Sequence, residues 1–579
     1  MQQNKRGVFF RLLGYVRPYA GYVVLALLLV LMVTSSDLLR PIIIGNAMDV
    51  ISSGGVFSTI VRLFLFYILL LLCGTLCNAA QMWLLQKLGQ NIIFRLRNEL
   101  FAHIHKLSLR FFDITPVGRI VTRVTNDVET LNELFSSILV TMVKNVVLIL
   151  GYAGVMLFLQ WKLALLSFLL IPLVFVLTRL FTKLYRTTHR ITRTKVSALN
   201  TYLSENLSAM KLIQVFHREA EKQHEFSQRS GDLFRSNFRE IVVYGTFRPL
   251  IYWISIVSLA IVLGVGGYLV MGGAISIGTL YIFTSYVKSF YEPIQSLSDQ
   301  FGTLQAAMAA GEKIFTLLDE EPAIRPPEHP QQLIAPKGRI EFDHVWFSYD
   351  GEEWVLRDVS FVIEPGQTAA FVGATGAGKS SILNLIGRYY DIQKGRITID
   401  GIDIRELDTD SLRRAVGQVQ QDVFLFTGDI RSNIRLKNQD ISDAEIEAAA
   451  KFVNADGFIR QLEQGYESAV TERGSTLSAG QRQLLSFART LAFDPAILVM
   501  DEATANIDTE TEQLIQDAMD RLMAGRTTIV VAHRLSTIQH ADKIMVMHKG
   551  RLREQGTHQE LLQQNGIYKK LYDLQLCER

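Results

Sequence analysis

Cysteine is nearly absent: 579 residues contain three, Cys73, Cys77 and Cys577. The first two sit inside an apolar stretch, so neither a disulfide framework nor a zinc site is expected. Charge of either sign is also scarce in the balance. The net value is +3 at pH 7, which gives no basis for a nucleic-acid partner. Glycine is missing from Val155 to Ser230, and proline from Leu173 to Arg248. Over that reach nothing breaks a helix, and polar and apolar residues recur at helical spacing. The N-terminus, MQQNKRGVFFRLLGYVRPY, is basic and amphipathic. It lacks a small-residue cleavage site after a short apolar core, so no cleaved signal peptide is expected.

What the chain has in excess is apolar residues, 49% of the total with 33 Phe, and nearly all the long runs fall in the first 315 positions. Segments near 21–47, 60–84, 136–160, 162–182, 246–271 and 278–298 can each supply roughly 20 residues, enough for a hydrocarbon core of about 30 Å. Six spans fit best, with five or seven open, because Asp37 and Arg40 interrupt the first. Lys and Arg crowd the N-terminus and two long links, among them Arg95, Arg97, Arg119 and Arg123, then Arg186, Arg190, Arg193 and Arg218. The opposite links, Ser52–Gly55, Gln160–Lys162 and Gly272–Ser276, are short and poor in both. Both termini are therefore expected in the cytoplasm. The long links read as helical arms about 40 Å in reach. They turn near Asp113–Gly118 and Glu205–Phe216, where docking to the C-terminal part of the chain is expected. The intramembrane ionisable residues Asp37, Arg40, Lys144, Lys288 and Glu292 are candidates for a substrate cavity. Asp37 and Arg40 suit simple pairing equally well.

Five prolines between Asp319 and Lys337 mark a linker. The division expected is 1–318 membrane domain, 319–338 linker and 339–579 soluble α/β domain. In that domain Gly373 to Ser381 reads GATGAGKSS and fits G-x-x-x-x-G-K-[ST]. An apolar strand, Thr368 to Val372, precedes it and a helix follows. Backbone N–H groups of Gly373, Ala374, Thr375, Gly376, Ala377 and Gly378 can then face phosphates. Lys379 reaches the β- and γ-phosphates, Ser380 can ligate Mg²⁺, and Ser381 continues into the helix. Further on stand Tyr349 at a strand end, Gln421 after an apolar strand, LSAGQ (Leu477, Ser478, Ala479, Gly480, Gln481) opening a helix, and Asp501-Glu502 closing a buried strand. ANID (Ala505, Asn506, Ile507, Asp508) and His533 complete the order.

In that order the motifs resemble those of ABC exporter half-transporters, over essentially the whole chain. The resemblance implies a membrane α-helical domain of six transmembrane helices with long cytoplasmic extensions, followed by an α/β P-loop ATPase domain. It implies ATP and Mg²⁺ as cofactors. Tyr349 would stack on adenine. Ser380, Gln421 and Asp501 would organise Mg²⁺. Glu502 would polarise the attacking water, and His533 would contact the γ-phosphate. Leu477–Gln481 is similar to the signature that completes the partner's site in trans, with Ala479 where the family has glycine, and Ala505–Asp508 to the D-loop. A second half-transporter is thus required. The run DEATANIDTETE resembles the Glu-bearing subunits of bacterial heterodimeric multidrug exporters, so a heterodimer is expected, with a homodimer as the alternative. The expected activity is export of drug-like molecules or lipids from a bacterial cytoplasmic membrane. Peptide export and a regulatory ATPase stay open.

Overall fold

A computed structural model describes residues 2–501, 509–531 and 538–577. The chain forms two compact units, Met1–His105 with Val117–Glu320, and Lys106–Pro116 with Glu321–Arg579.

The first unit is built from long helices: α1 (Gln2–Val16), α2 (Ala20–Ser52) and α3 (Phe57–Ile104). Short α4 (Leu109–Ile114) belongs to the second unit. Then come α5 (Val117–Phe168), α6 (Ile171–Ser208), α7 (Glu219–Met271) and α8 (Ile277–Leu318). Among the described residues four stretches are long and apolar enough to cross a membrane, Gly7–Ser52, α3, α5 and α7. Six were expected. The other two apolar runs also lie in helices, α6 and α8, but neither is as long and apolar, for different reasons. The backbone leaves the helical region at Gln160 (φ −158°, ψ 95°), on the expected Gln160–Lys162 link, and the run near 162–182 is then divided by a second break before α6. Most of α6 is then a polar arm. Near 278–298 the run opens α8, where Lys288, Glu292 and Pro293 dilute a stripe buried at Phe283, Tyr286, Val287 and Phe290.

Close backbone approach fixes these helices. A Cβ on Gly278 would lie 2.1 Å from the Gly45 carbonyl oxygen. Asp49 seals the same contact, accepting from Gly278 N–H at 2.7 Å and Ser276 Oγ at 2.6 Å. Deeper in, Tyr286 donates to the Leu38 carbonyl at 2.6 Å. The arms of α6 and α7 are paired by Thr192 with Ser236 (3.0 Å), His189 with Glu240 (2.8 Å) and Lys195 with Asp232 (3.1 Å). Between them lies a six-residue helix, Met210–Val215.

Among the described residues the second unit has twelve strands: β1 (Ile340–Phe347), β2 (Leu356–Ile363), β3 (Thr368–Val372), β4 (Lys394–Ile399), β5 (Ile402–Asp403), β6 (Val416–Val419), β7 (Gly428–Asp429), β8 (Ala469–Val470), β9 (Ile497–Asp501), β10 (Thr527–Val531), β11 (Lys543–His548) and β12 (Arg551–Gly556). Strands β2-β1-β4-β5 form an antiparallel sheet, and β7-β8 a small ribbon. The main sheet runs β12-β11-β3-β10-β9-β6, parallel from β11 to β6. Its inner strands read as continuous apolar runs because both faces are covered. Phe371, Ile382, Leu385 and Ile386 fill one side, and Leu484, Leu485 and Phe487 the other.

Candidate active site

One rung of the parallel sheet fixes the site. Ala370, Val530, Met500 and Val419 are aligned across β3, β10, β9 and β6. Asp501, Gln421 and Gly373 follow within three residues of that rung, so they emerge together at the carboxyl edge of the sheet, where α/β sheets bind ligands.

The loop after β3 can be built only with glycine at its two ends. Gly373 has φ +146°, and a Cβ there would lie 2.2 Å from the Met547 carbonyl oxygen. Gly378 has φ +99° and would drive a Cβ to 2.7 Å from Leu356 Cδ2. Gly378 also caps helix α9 (Lys379–Ile386) without any side-chain acceptor. The first N–H groups of α9 are thus left for an outside acceptor, at the positive end of a helix. Ala374, Thr375, Gly376 and Ser380 are exposed, Ala377 and Ser381 buried. Lys379 is 6% exposed, and its Nζ donates to the carbonyls of Gly373 (2.6 Å) and Ala374 (3.1 Å). Burial pushes its ammonium pKa down, and the Asp501 charge opposes that only in part. A cation desolvated among carbonyls beside unsatisfied helix N–H groups is the donor set a polyphosphate needs. The residues therefore fit ATP.

Tyr349 stands half-buried beside this loop. Its hydroxyl is 3.0 Å from Ser381 Oγ, and Phe347 and Tyr390 meet it edge-to-face at 4.7 and 5.0 Å between centroids. Asp501 closes β9 half-buried, and Gln421 is exposed past β6. Among the described residues no group of three or more His, Cys, Asp or Glu could hold a metal. Mg²⁺ at Ser380, Gln421 and Asp501 would need phosphate oxygens to complete its shell, as is usual for this ion.

LSAGQ is placed at the start of helix α10 (Ala479–Ala492). Ser478 and Gln481 cap it reciprocally: Gln481 N–H donates to Ser478 Oγ at 3.2 Å, and Ser478 N–H to Gln481 Oε1 at 2.9 Å. Leu477 and Gly480 are buried, whereas Ser478 and Ala479 are exposed. The Ala479 methyl therefore meets no crowding within this chain. Glu502, Ala505, Asn506, Ile507, Asp508 and His533 lie outside the described residues.

The intramembrane candidates divide. Asp37 sits 3.2 Å from Arg40 and 3.8 Å from Lys144. Arg40 also rests against Gly74, where a Cβ would come within 3.0 Å of its Nη2. Lys288 and Glu292 are exposed on α8. None of the five lines the large cavity of the first unit, about 860 Å³, whose walls include Phe181, Arg186, Tyr244 and Phe247. Sequence reasoning counted Arg186 only as a sidedness signal. It also missed Tyr390, whose hydroxyl donates to Asp113 Oδ2 on α4 at 2.5 Å. Burial, then that hydrogen bond, raise the Tyr390 pKa. No spacing could show this contact, since 277 residues separate the pair. A cavity of about 950 Å³ in the second unit lies at the opposite, amino edge of the sheet, beside Ala496 and Thr527, away from the phosphate loop.

Comparison with known proteins agrees with this geometry. Residues 23–294 match the ABC transporter transmembrane region and residues 356–505 the ABC transporter domain. The chain is 40% identical over 575 residues to exp8 of Streptococcus pneumoniae serotype 4 (strain ATCC BAA-334 / TIGR4), provisionally named an ABC transporter ATP-binding protein, covering 99% of this chain and 98% of that one. It is 37% identical to an ATP-dependent lipid A-core flippase of Desulfotalea psychrophila (strain LSv54 / DSM 12343), covering 85% and 86%. The structure of a bacterial Atm1-family ABC exporter with ATP bound superposes with a TM-score of 0.80 at 29% identity, covering 97% and 98%.

Proposed function

The chain belongs to the ABC transporters, with an exporter-type membrane domain fused to its ATPase, and we propose that it is one half of a dimeric exporter of hydrophobic or amphiphilic compounds. ATP hydrolysis coupled to transport is the activity of this architecture. The observation that carries the reading is the convergence of the Gly373–Ser381 loop, Asp501 and Gln421 at one sheet edge, in a chain whose other unit is a bundle of apolar helices.

In this reading Lys379 and the N–H groups of the loop hold the phosphates. Ser380, Gln421 and Asp501 would hold Mg²⁺, which would supply charge neutralisation at the phosphoryl group. Glu502 takes the proton of the attacking water, and His533 contacts the γ-phosphate; both roles rest on the motif order. Catalysis is then mostly positioning. Tyr349 gives the adenine an aromatic neighbour. Leu477–Gln481 serve the ATP of a second chain, so the protein acts as a dimer with both termini in the cytoplasm of a bacterial cell. The exposed, drifted Ala479 favours a heterodimer in which this signature faces the partner's weaker site.

A homodimeric lipid flippase is the second reading, favoured by the 37% identity to the lipid A-core flippase. Uptake into inside-out vesicles of a cationic drug, a phospholipid analogue and a peptide separates these. ATP-dependent uptake of the drug or lipid is expected. Uptake of none, with active ATPase, would overturn export.

A further inference from the structure

The cavity of about 860 Å³ in the first unit is amphipathic along its length. Its walls come from α6, α7 and α8. At one end Phe181 and Phe247 pack with centroids 5.3 Å apart, and Thr182 joins Ser298 at 3.3 Å. One turn on, Tyr185 meets Tyr244 at 5.9 Å. At the other end stand Arg186, Arg190 and Arg193. Their spacing of four and three places all three on one face of α6. Stacking like charges this way destabilises the helix. The cost is not offset locally, because among the described residues none of the three forms an ion pair. Arg186 lies over the Phe301 ring at 5.8 Å. The neighbouring His189 is paired with Glu240. Among the described residues Asp299 is the one carboxylate in the walls, and it is itself engaged. Three guanidiniums against one carboxylate leave an excess of positive charge at the polar end.

The position along α6 matters. Counted at 1.5 Å per residue across the further break before α6, Phe181 lies at most roughly 30 Å from the Gln160 break and Arg193 at most roughly 50 Å. A hydrocarbon core of about 30 Å therefore ends near the aromatic end, and the arginines lie beyond it. The size is within the range of small-molecule sites, about 300–1,000 Å³.

We propose that this cavity is the loading site for amphiphiles with an anionic headgroup, phosphate, sulfonate or carboxylate. The apolar tail lies against Phe181 and Phe247, and the headgroup is held by Arg186, Arg190 and Arg193. Planar guanidiniums suit such oxyanions through paired hydrogen bonds. This rests on the export reading and names its substrate class. The same headgroup chemistry arrives either as a free organic anion from water or as an anionic lipid from the bilayer.

The test uses the full-length transporter in phosphatidylcholine nanodiscs. Binding of dodecyl phosphate, dodecyltrimethylammonium and dodecyl maltoside is measured below their aggregation limits, with empty nanodiscs subtracted. Dodecyl phosphate is expected to bind at least tenfold more tightly than the cation of the same tail. Arg186→Gln with Arg190→Gln should bring the two within about twofold, while Arg186→Lys with Arg190→Lys keeps most of the preference. Phe247→Ala should weaken all three ligands alike. If phosphatidylglycerol mixed into the nanodisc competes with dodecyl phosphate, the lipid is the source, and if it does not, the free anion is; both results uphold an anionic site. Equal binding of anion and cation by the unmodified protein, or an unchanged preference in the glutamine variant, overturns it. Failure of the export reading looks different: none of the amphiphiles stimulates ATP hydrolysis or is moved.

Discussion

Lys379 shows how much of the chemistry rests on single side chains. Its ammonium is buried, its pKa is depressed by that burial, and among the described residues two carbonyls accept its hydrogen bonds. Phosphate oxygens would replace those acceptors with charged ones. Charge-assisted bonds of this kind are worth about 1.5–3 kcal/mol. Lys379→Ala should therefore weaken ATP binding by roughly ten- to a hundredfold, read by titration with a fluorescent ATP analogue. Unchanged affinity would remove the phosphate-loop assignment. The role proposed for Glu502 can be tested separately. Glu502→Gln keeps shape and removes the base, so turnover should fall at least ~100-fold while ATP affinity stays within about twofold. Single-turnover hydrolysis beside the same titration checks both halves.

Between elements, contact geometry replaces side-chain chemistry as the deciding term. The α2–α8 contact is so close that Gly278→Ala must push helices apart or fail to form. A cost of at least about 2 kcal/mol is expected, seen as a lower Tm. A Tm within a degree of the parent would mean the helices do not approach as described. In the antiparallel sheet, Asp403 of β5 accepts from Arg405 Nη2 at 2.7 Å and lies 3.3 Å from Arg396 Nε on β4. Burial alone would raise its carboxyl pKa, but the Arg405 hydrogen bond and both positive charges outweigh burial and hold it low. A folded pKa below the unfolded one, about 3.9, gives stability that is complete above that value and lost as pH falls through the folded value. Asp403→Asn should thus lower the unfolding free energy by a constant amount from pH 8 to 5, about 1–3 kcal/mol, seen as a lower Tm, and the gap should close below about pH 4. A gap that widens in acid would reverse the assignment.

At the scale of the whole molecule the open variable is the second chain. A signature that opens α10 on the surface, with Ser478 and Ala479 exposed, is consistent with the proposed role toward a second chain's ATP. Purified alone, this chain should show weak amphiphile-stimulated ATPase. Co-expression with a half-transporter lacking the carboxylate after its second Walker motif should raise the stimulated rate at least about fivefold, a gain of about 1 kcal/mol in the barrier. A stable homodimer with full stimulated activity would assign the protein to the homodimeric flippase reading.

The phosphate loop was legible without any structure because a phosphate cradle is made of contiguous residues. Gly373 to Ser381 specify strand end, turn and helix start by local sterics alone, and the positive φ at Gly373 and Gly378 is what those sterics require. Helix existence was legible for the same reason, since hydropathy and the missing glycines and prolines act along the chain. Span boundaries were not. The Gln160 break falls on the short link read from the sequence, but the second break, before α6, depends on how the helices pack and divides an apolar run that reads as one. The substrate candidates fared likewise. Asp37, Arg40 and Lys144 do meet, but as a mutually compensating cluster away from the cavity. Tyr390 with Asp113, and the cavity walls of Phe181, Phe247 and three arginines, join residues far apart in the chain. Which helix faces meet is settled by the summed packing of whole elements, so those sites exist only in the tertiary structure.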